Sequence, residues 1–262
     1  MTQLALDSGS RPRHIVGLLK EQGFATVPAL FGPDSLAAIL DECDCLLETR
    51  CTFQETTIAD QLCERGCVLE TLPECSDEAR SNKAKYANLR GAWPLSRAVC
   101  AKLTHGELFN LAHHLLGPQC YLYNDQYIVK PPRSGTSGFA WHFDSQWLPN
   151  DVELHPYISI WVALDDVDEA NGCLHIWPRS HLQQEKCGAH SAKPALKLLR
   201  HEEAVKIRMK AGGAVIMTDK LWHCSGPNLS PHFRRAWMPQ FSCKPIVSRE
   251  SGQPSALAVL LG

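Results

Sequence analysis

The stretch "FAWHFDSQW", Phe139–Trp147, decides how this chain is read. It has the length and aromatic content of a strand, yet it carries an imidazole at His142 and a carboxylate at Asp144, where an ordinary half-buried strand would alternate apolar and solvated positions. Residues i and i+2 of a strand share a face. Both side chains are of metal-ligand type, so the spacing predicts two ligands aimed into one space and sends the search outward for whatever completes the set.

From Gly117 onward the texture around that stretch is consistent. "CYLYNDQYIVK", "YISIWVALDDV", "GCLHIWP", "GAVIMTDKLWHCSG" and "RAWMPQFSC" are short runs of aromatic and β-branched residues bounded by Pro, Gly, Asn or Asp. No helical pattern separates them, which argues against a parallel βαβ sheet and for an antiparallel barrel or two-sheet sandwich with helices packed outside it. Upstream the chain reads helical. "HIVGLLKEQGF" places Ile15, Val16, Leu18 and Leu19 before a stop at Gly23, with a short strand "ATVPAL" after it; "GPDSLAAILDECDCLLE" opens at Pro33 and Asp34; "HGELFNLAHHLLG" stops at Gly117. The expected organisation is one domain over residues 1–262, with a helical part at about 14–117 and a β core at about 118–245. Between them "SDEARSNKAKYANLRGAW", Ser76–Trp93, is polar and lacks periodicity. It reads as a surface loop, either simply solvated or offering Lys83, Lys85 or Arg90 to a polar or anionic substrate.

Composition narrows the function classes. A chain of 262 residues with 44% hydrophobic and 21% charged residues can bury a large core. A formal charge of −2 with scattered basic residues does not indicate a nucleic-acid partner. No run of roughly 18 apolar residues occurs, and neither a signal-peptide h-region nor a C-terminal peroxisomal address is evident, so the expectation is a cytoplasmic protein without a membrane span. Of twelve cysteines, Cys43, Cys45, Cys51, Cys63, Cys67 and Cys75 cluster in one segment. Their spacings match neither paired C-x2-C zinc sites nor a secreted disulfide framework, and reduced thiols in a helical segment are expected.

The H-x-[DE] pattern occurs three times, at His105/Glu107, His142/Asp144 and His201/Glu203, but only the middle pair lies in strand-like sequence. A third ligand is available at His223, just past the apolar run "GGAVIMTDKLW". Two imidazoles and one carboxylate form the facial triad of non-haem iron oxygenases, which leaves adjacent metal positions open for a co-substrate and dioxygen. The same set also suits catalytic zinc. Arg234 argues for iron: it follows a turn-rich segment, its planar fork suits a carboxylate, and Ser225 could donate a hydroxyl to that carboxylate. Adjacent strand residues face opposite ways, so Arg235 is expected to be a solvated neighbour.

"WHFD", "DDVDEANGCLHIWPRSH", "HCSGPNLSPHFRRA" and the N-terminal "LKEQGFATVPALFGPDSL" together resemble the phytanoyl-CoA dioxygenase family of Fe(II)/2-oxoglutarate oxygenases, over roughly Ile15 to Cys243. The resemblance implies a mainly β protein with flanking helices, built on a double-stranded β-helix of jelly-roll, cupin-like form. It implies that His142, Asp144 and His223 bind iron, that Arg234 with Ser225 holds the distal carboxylate of 2-oxoglutarate, and that Trp161 and Asn124 line the co-substrate pocket. Asn124 and Gln126 share a strand face with Lys130 and are not separated by spacing. The implied reaction consumes O2 and 2-oxoglutarate, hydroxylates a C–H bond of a small-molecule or acyl-type metabolite, and releases succinate and CO2. A non-catalytic module of the same fold is the alternative, with a zinc hydrolase behind it. Phe143, Trp147 and Tyr127 are read as pocket walls, Asn171-Gly172 as a turn, and His113, His114, His175 and His181 as histidines without a role in the chemistry.

Overall fold

The computed structural model describes residues 11–53, 67–72, 76–92, 94–183 and 203–262. Among them are six helices: α1 (Arg11–Gln22), α2 (Pro33–Phe53), α3 (Asp77–Ser81), α4 (Lys83–Arg90), α5 (Pro94–Thr104) and α6 (Glu107–Leu116). α1 ends as its sequence dictates. Gly23 takes φ +86° and its N–H closes on the Leu19 carbonyl at 3.1 Å. Ile15 and Leu19 of α1 and Ile39 and Cys43 of α2 then bury against the sheet.

Thirteen strands follow one another in the described residues: β1 (Phe24–Val27), β2 (Cys67–Glu70), β3 (Tyr121–Asn124), β4 (Gln126–Lys130), β5 (Phe139–His142), β6 (Tyr157–Ala163), β7 (Leu174–Ile176), β8 (Val205–Lys206), β9 (Ala214–Thr218), β10 (His223–Ser225), β11 (Arg234–Trp237), β12 (Gln240–Ser242) and β13 (Val259–Leu260). Every pairing between them is antiparallel. The larger sheet is organised around β6, which pairs with β9 on one side and with β11 and β12 on the other; the smaller sheet runs β5-β10-β7-β8. This is the mainly β jelly-roll architecture with helices outside it that the sequence predicted.

β6 shows why the sheet forms here, since all seven of its residues are buried. Its period-2 alternation divides them: Ile158, Ile160 and Val162 join the core shared with the helices, while Trp161 and Ala163 join the core between the sheets. Ser159 has the parity of Trp161, so its hydroxyl faces the interior where the ligand candidates lie.

Several boundaries differ from the sequence reading, each for a local reason. The strand through "FAWHFDSQW" ends at His142, and Asp144–Trp147 forms a 3-10 turn. "GAVIMTDKLWHCSG" is two strands, because Thr218 pairs with Ile158 in the larger sheet while His223 pairs with His142 in the smaller one, so the chain changes sheets across residues 219–222. Ser76–Trp93 is no loop: α3 and α4 occupy most of it, and Ser76 and Asn82 cap them. The helical third also contributes β1 and β2 to the larger sheet, and β13 extends that sheet past residue 245. The Asn171-Gly172 turn is present. Gly172 has φ +81°, and a Cβ there would lie 2.3 Å from the Gly226 carbonyl oxygen.

The cysteine segment is mixed in structure. Cys43 and Cys45 lie on α2 and Cys67 opens β2. Cys63 and Cys75 lie outside the described residues, as do the side chains of Cys51 and Cys67. His201 also lies outside the described residues. Among the described residues no helix is long and apolar enough to cross a membrane.

Candidate metal centre

β5 and β10 are paired so that His142 lies directly opposite His223, with ring centroids 4.2 Å apart. Both rings are oriented by the backbone. His142 Nδ1 donates to the Ala140 carbonyl at 2.7 Å and His223 Nδ1 to the Leu221 carbonyl at 3.0 Å. A carbonyl accepts only, so each Nδ1 carries a proton and Nε2 is the nitrogen left to face a metal. Those Nε2 atoms lie 3.9 Å and 3.5 Å from Asp144 Oδ1. Burial, reinforced by the neighbouring His223, pushes His142 down to about 4, which keeps it the neutral imidazole that a metal requires. One ligand atom from each of His142, Asp144 and His223 lies within 4.8 Å of the others. Two imidazole nitrogens and a carboxylate oxygen, turned to a common point, fit a divalent metal ion.

The carboxylate is held at its other oxygen. Ser159 Oγ donates to Asp144 Oδ2, as does Gln240 Nε2 at 3.2 Å, and Gln240 Nε2 also donates to Ser159 Oγ at 2.8 Å. Neither Ser159 nor Gln240 stood out in the sequence. The only signal was the position of Ser159 two residues before Trp161 on one strand face.

The triad opens into a cavity of about 580 Å³ that is also lined by Asn124, Gln126, Trp161, Ser225 and Arg234. All five expected pocket residues therefore meet the ligand candidates in one space. Arg234 is buried on β11 with its guanidinium carbon 5.5 Å from the centre of the Trp161 ring. Asn124 Nδ2 donates to Gln126 Oε1 at 3.0 Å and to Gln240 Oε1 at 3.3 Å. Lys130, opposite Arg234 in the β4–β11 pair, is buried and donates to Ser225 Oγ at 2.7 Å and to the Gly226 carbonyl. Burial, then the charge of Arg234, pushes its amine down to about 6.

Other expectations are corrected. Arg235 is no solvated neighbour: it donates to Asp165 at 2.7 and 3.0 Å and to Asp44 at 2.6 and 2.8 Å, tying β11 to α2. Phe143 packs in a separate cluster with Trp177 and Trp222, and Tyr127 lies in the helix-side core with its hydroxyl on Glu42 at 2.5 Å, so neither lines the cavity. Trp147 does line it, as an exposed ring at the mouth. Lys85 pairs with Glu78, Lys83 donates to the Leu261 carbonyl, and Arg90 is buried between Glu42 and Asp125; none of the three lines the cavity. Of the histidines set aside, His181 Nε2 meets the Lys20 carbonyl at 3.1 Å and His114 Nδ1 the Asn110 carbonyl at 2.6 Å.

Comparison with known proteins agrees with this geometry. An ectoine dioxygenase of Streptomyces anulatus is 25% identical over 239 residues, covering 82% of this chain and 72% of that protein. The peroxisomal phytanoyl-CoA dioxygenase of Bos taurus is 31% identical over 144 residues, covering 50% of this chain and 42% of the bovine one. The match to an ectoine dioxygenase of Nocardia farcinica spans 52% of that protein's length. Among solved structures, the non-heme alpha ketoglutarate dependent carbocyclase SnoK from nogalamycin biosynthesis superposes with a TM-score of 0.68 at 18% identity, over 95% of this chain and 93% of its own. EvdO2 of Micromonospora carbonacea var. aurantiaca, complexed with 2-oxoglutarate, superposes with a TM-score of 0.62 at 19% identity, over 97% of each chain. The family model described as phytanoyl-CoA dioxygenase (PhyH) matches residues 19–236, and the chain belongs to that family.

Proposed function

We propose that this protein is an Fe(II)- and 2-oxoglutarate-dependent dioxygenase, formed as one domain, that hydroxylates a C–H bond of a small organic molecule. The observation that carries the reading is the convergence of His142, Asp144 and His223 on one point of a cavity whose wall also holds the buried Arg234. Hydrolysis at zinc has no use for a buried guanidinium beside the metal, whereas a dicarboxylate co-substrate does. The overall conversion balances as substrate C–H, O2 and 2-oxoglutarate giving substrate C–OH, succinate and CO2. Iron, when bound, supplies the activation of dioxygen.

The chain's own residues supply geometry and recognition. His142, Asp144 and His223 would hold the iron, each imidazole offering Nε2 because its Nδ1 proton is held by a backbone carbonyl. Arg234 and Ser225 would take the distal carboxylate of 2-oxoglutarate: Ser225 Oγ already accepts from Lys130, so its own proton is free to be donated into the cavity. Trp161 flanks the guanidinium and limits its swing. Asn124 and Gln126 offer amides on the wall between co-substrate and substrate.

The remaining lining favours an uncharged substrate. Tyr123, Leu148, Tyr157, Val68 and Trp147 give the outer cavity an apolar and aromatic face. Among the described lining residues, Arg234 and Asp144 are the only arginine, lysine or carboxylate side chains, and both are engaged by the metal and co-substrate in this reading. A neutral ring or chain with one or two hydrogen-bonding groups fits this wall better than a coenzyme A ester.

The test is metal analysis of anaerobically purified protein combined with succinate release from 2-oxoglutarate across a panel of neutral metabolites. Iron-dependent succinate release, lost in Asp144→Ala, is the expected result. Bound zinc with hydrolysis of an ester panel, or 2-oxoglutarate binding without turnover under any substrate, would replace this reading with the hydrolase or with the non-catalytic module.

A further inference from the structure

The hydrogen bonds behind Asp144 form a chain whose direction is set at both ends, by the Asp125 backbone N–H, which only donates, and by the Asp144 carboxylate, which only accepts. Asp125, between β3 and β4, is locked in place: its carboxylate accepts from Arg90 at 2.7 Å, Trp237 at 2.8 Å, and Tyr86 and Thr71 at 2.9 Å. Its backbone N–H donates to Asn124 Oδ1 at 2.8 Å. A backbone N–H can only donate, so the Asn124 amide has one allowed orientation, with Nδ2 toward Gln240. Asn124 Nδ2 then donates to Gln240 Oε1, which turns Gln240 Nε2 toward Asp144 Oδ2 and Ser159 Oγ. Ser159 accepts from Gln240 and so gives its own proton to Asp144 Oδ2. Two donors therefore converge on Oδ2, while Oδ1 is the oxygen that faces both imidazoles.

We propose that Gln240 is a positioning residue that, with Ser159, keeps Asp144 a one-oxygen metal ligand, and that Asn124 acts on Asp144 by holding the Gln240 amide with Nε2 toward it. The inference rests on the metal assignment above. Its chemical consequence is coordination number. A carboxylate that is free to turn can grip a metal with both oxygens and occupy a position that the co-substrate needs; one whose Oδ2 is saturated by donors cannot.

Co(II) binding without co-substrate reads this directly, because its visible absorption reports coordination number and geometry. Three variants are compared with the wild type: Gln240→Met, which removes the donor; Asn124→Asp, which is isosteric, still accepts from the Asp125 N–H and cannot donate to Gln240; and the double variant. Each single variant is expected to change the Co(II) spectrum and to weaken 2-oxoglutarate binding to the Co(II) protein by about tenfold or more. Asn124→Asp is expected to add nothing to the co-substrate-free spectrum in the Gln240→Met background, since its path to Asp144 runs through that amide, whereas its contact with Gln126 bears on the cavity wall. A wild-type spectrum in Gln240→Met overturns the role of Gln240, and a wild-type spectrum in Asn124→Asp, or a further change in the double variant, overturns the directional chain. If Asp144→Ala binds Co(II) as tightly as the wild type, the failure lies instead in the metal assignment. Asn124→Asp keeps the size and shape of the side chain, so the test survives a Gln240→Met protein that does not fold.

Discussion

Replacing Arg234 by alanine tests the proposed carboxylate clamp against a structural arginine, because the two side chains sit at adjacent positions. Arg234 is buried, with 1% of its surface exposed, and lines the cavity; Arg235 turns the other way into Asp165 and Asp44. In Arg234→Ala the co-substrate would lose two charge-assisted hydrogen bonds at about 1.5–3 kcal/mol each. Water entering the vacated space recovers part of that. A fall in 2-oxoglutarate affinity on the order of a hundredfold or more is therefore expected, with little change in metal affinity. Arg234→Lys should restore only part of the loss, because an ammonium keeps the charge and lacks the fork. Arg235→Ala has a different expected cost: it breaks a half-exposed double ion pair between β11 and α2, so about 1–2 kcal/mol of stability should go while co-substrate affinity stays near wild type. The assay is a 2-oxoglutarate titration of the metal-loaded protein alongside denaturant unfolding of each variant. If Arg235→Ala damages binding and Arg234→Ala does not, the two side chains have been assigned to the wrong faces. If neither changes binding, there is no clamp and the oxygenase reading falls with it.

Lys130 should make co-substrate binding pH-dependent: its amine, pushed down to about 6 by burial and then Arg234, is mostly neutral above pH 7, and a dicarboxylate against Ser225 favours the ammonium. Binding should take up a proton and tighten as pH falls from 8 toward 6, a trend that Lys130→Met removes; the groups facing the amine are Arg234, Cys224 and Cys173, and calorimetry in buffers of different ionisation enthalpy showing no proton uptake would refute it. Arg90→Met should destabilise the fold by about 3–5 kcal/mol in denaturant unfolding, since it strands the Glu42 and Asp125 carboxylates in the core; a loss below 1 kcal/mol would mean that water reaches them. Asp219 is buried with no hydrogen-bond partner at Oδ2, and burial pushes it up to about 7 from the ordinary 3.8, so the fold holds a proton there that the unfolded chain releases. The stability that proton represents is complete below pH 3.8 and lost as pH rises to about 7, roughly 4 kcal/mol in all. Asp219→Asn should therefore gain on the wild type by about 2–3 kcal/mol more at pH 8 than at pH 5, and equal gains at both would sink the assignment.

The candidate metal ligands were legible because the sequence carried them as exceptions. His142 and Asp144 interrupt an aromatic strand, and His223 follows an apolar run that could have been read straight through it. Alternation says which way a side chain points and nothing about what waits there. That is why Arg235 was placed correctly on the far face and misjudged as solvated: its partners come from α2 and from the end of β6, 191 and 70 residues away. The same rule, applied more strictly, would have excluded Phe143, which sits between two inward-facing residues, and Tyr127, which neighbours the inward-facing Gln126. Ser76–Trp93 looked like a loop for a different reason. Its longer helix, α4, is held by Arg90 and Tyr86 in a polar network around Asp125 rather than by an apolar stripe, so the usual periodic signal is weak.

The part of the site that no reading of residue types could recover is the direction of its hydrogen bonds. Glutamine and asparagine each present a donor and an acceptor of nearly equal shape, and here the Asp144 carboxylate, which only accepts, and Asn124, which donates to Oε1, hold the two ends of the Gln240 amide. Here the series ends only at the Asp125 N–H, fixed because Arg90 and Tyr86 of α4, Thr71 after β2 and Trp237 of β11 hold the Asp125 carboxylate. The buried network behind the sheet and the ligand set in the cavity are thus mechanically continuous, through Asn124 and Gln240. Loosening Asp125 should therefore disturb metal coordination before it unfolds the protein, an order of events that a stability measurement alone would miss.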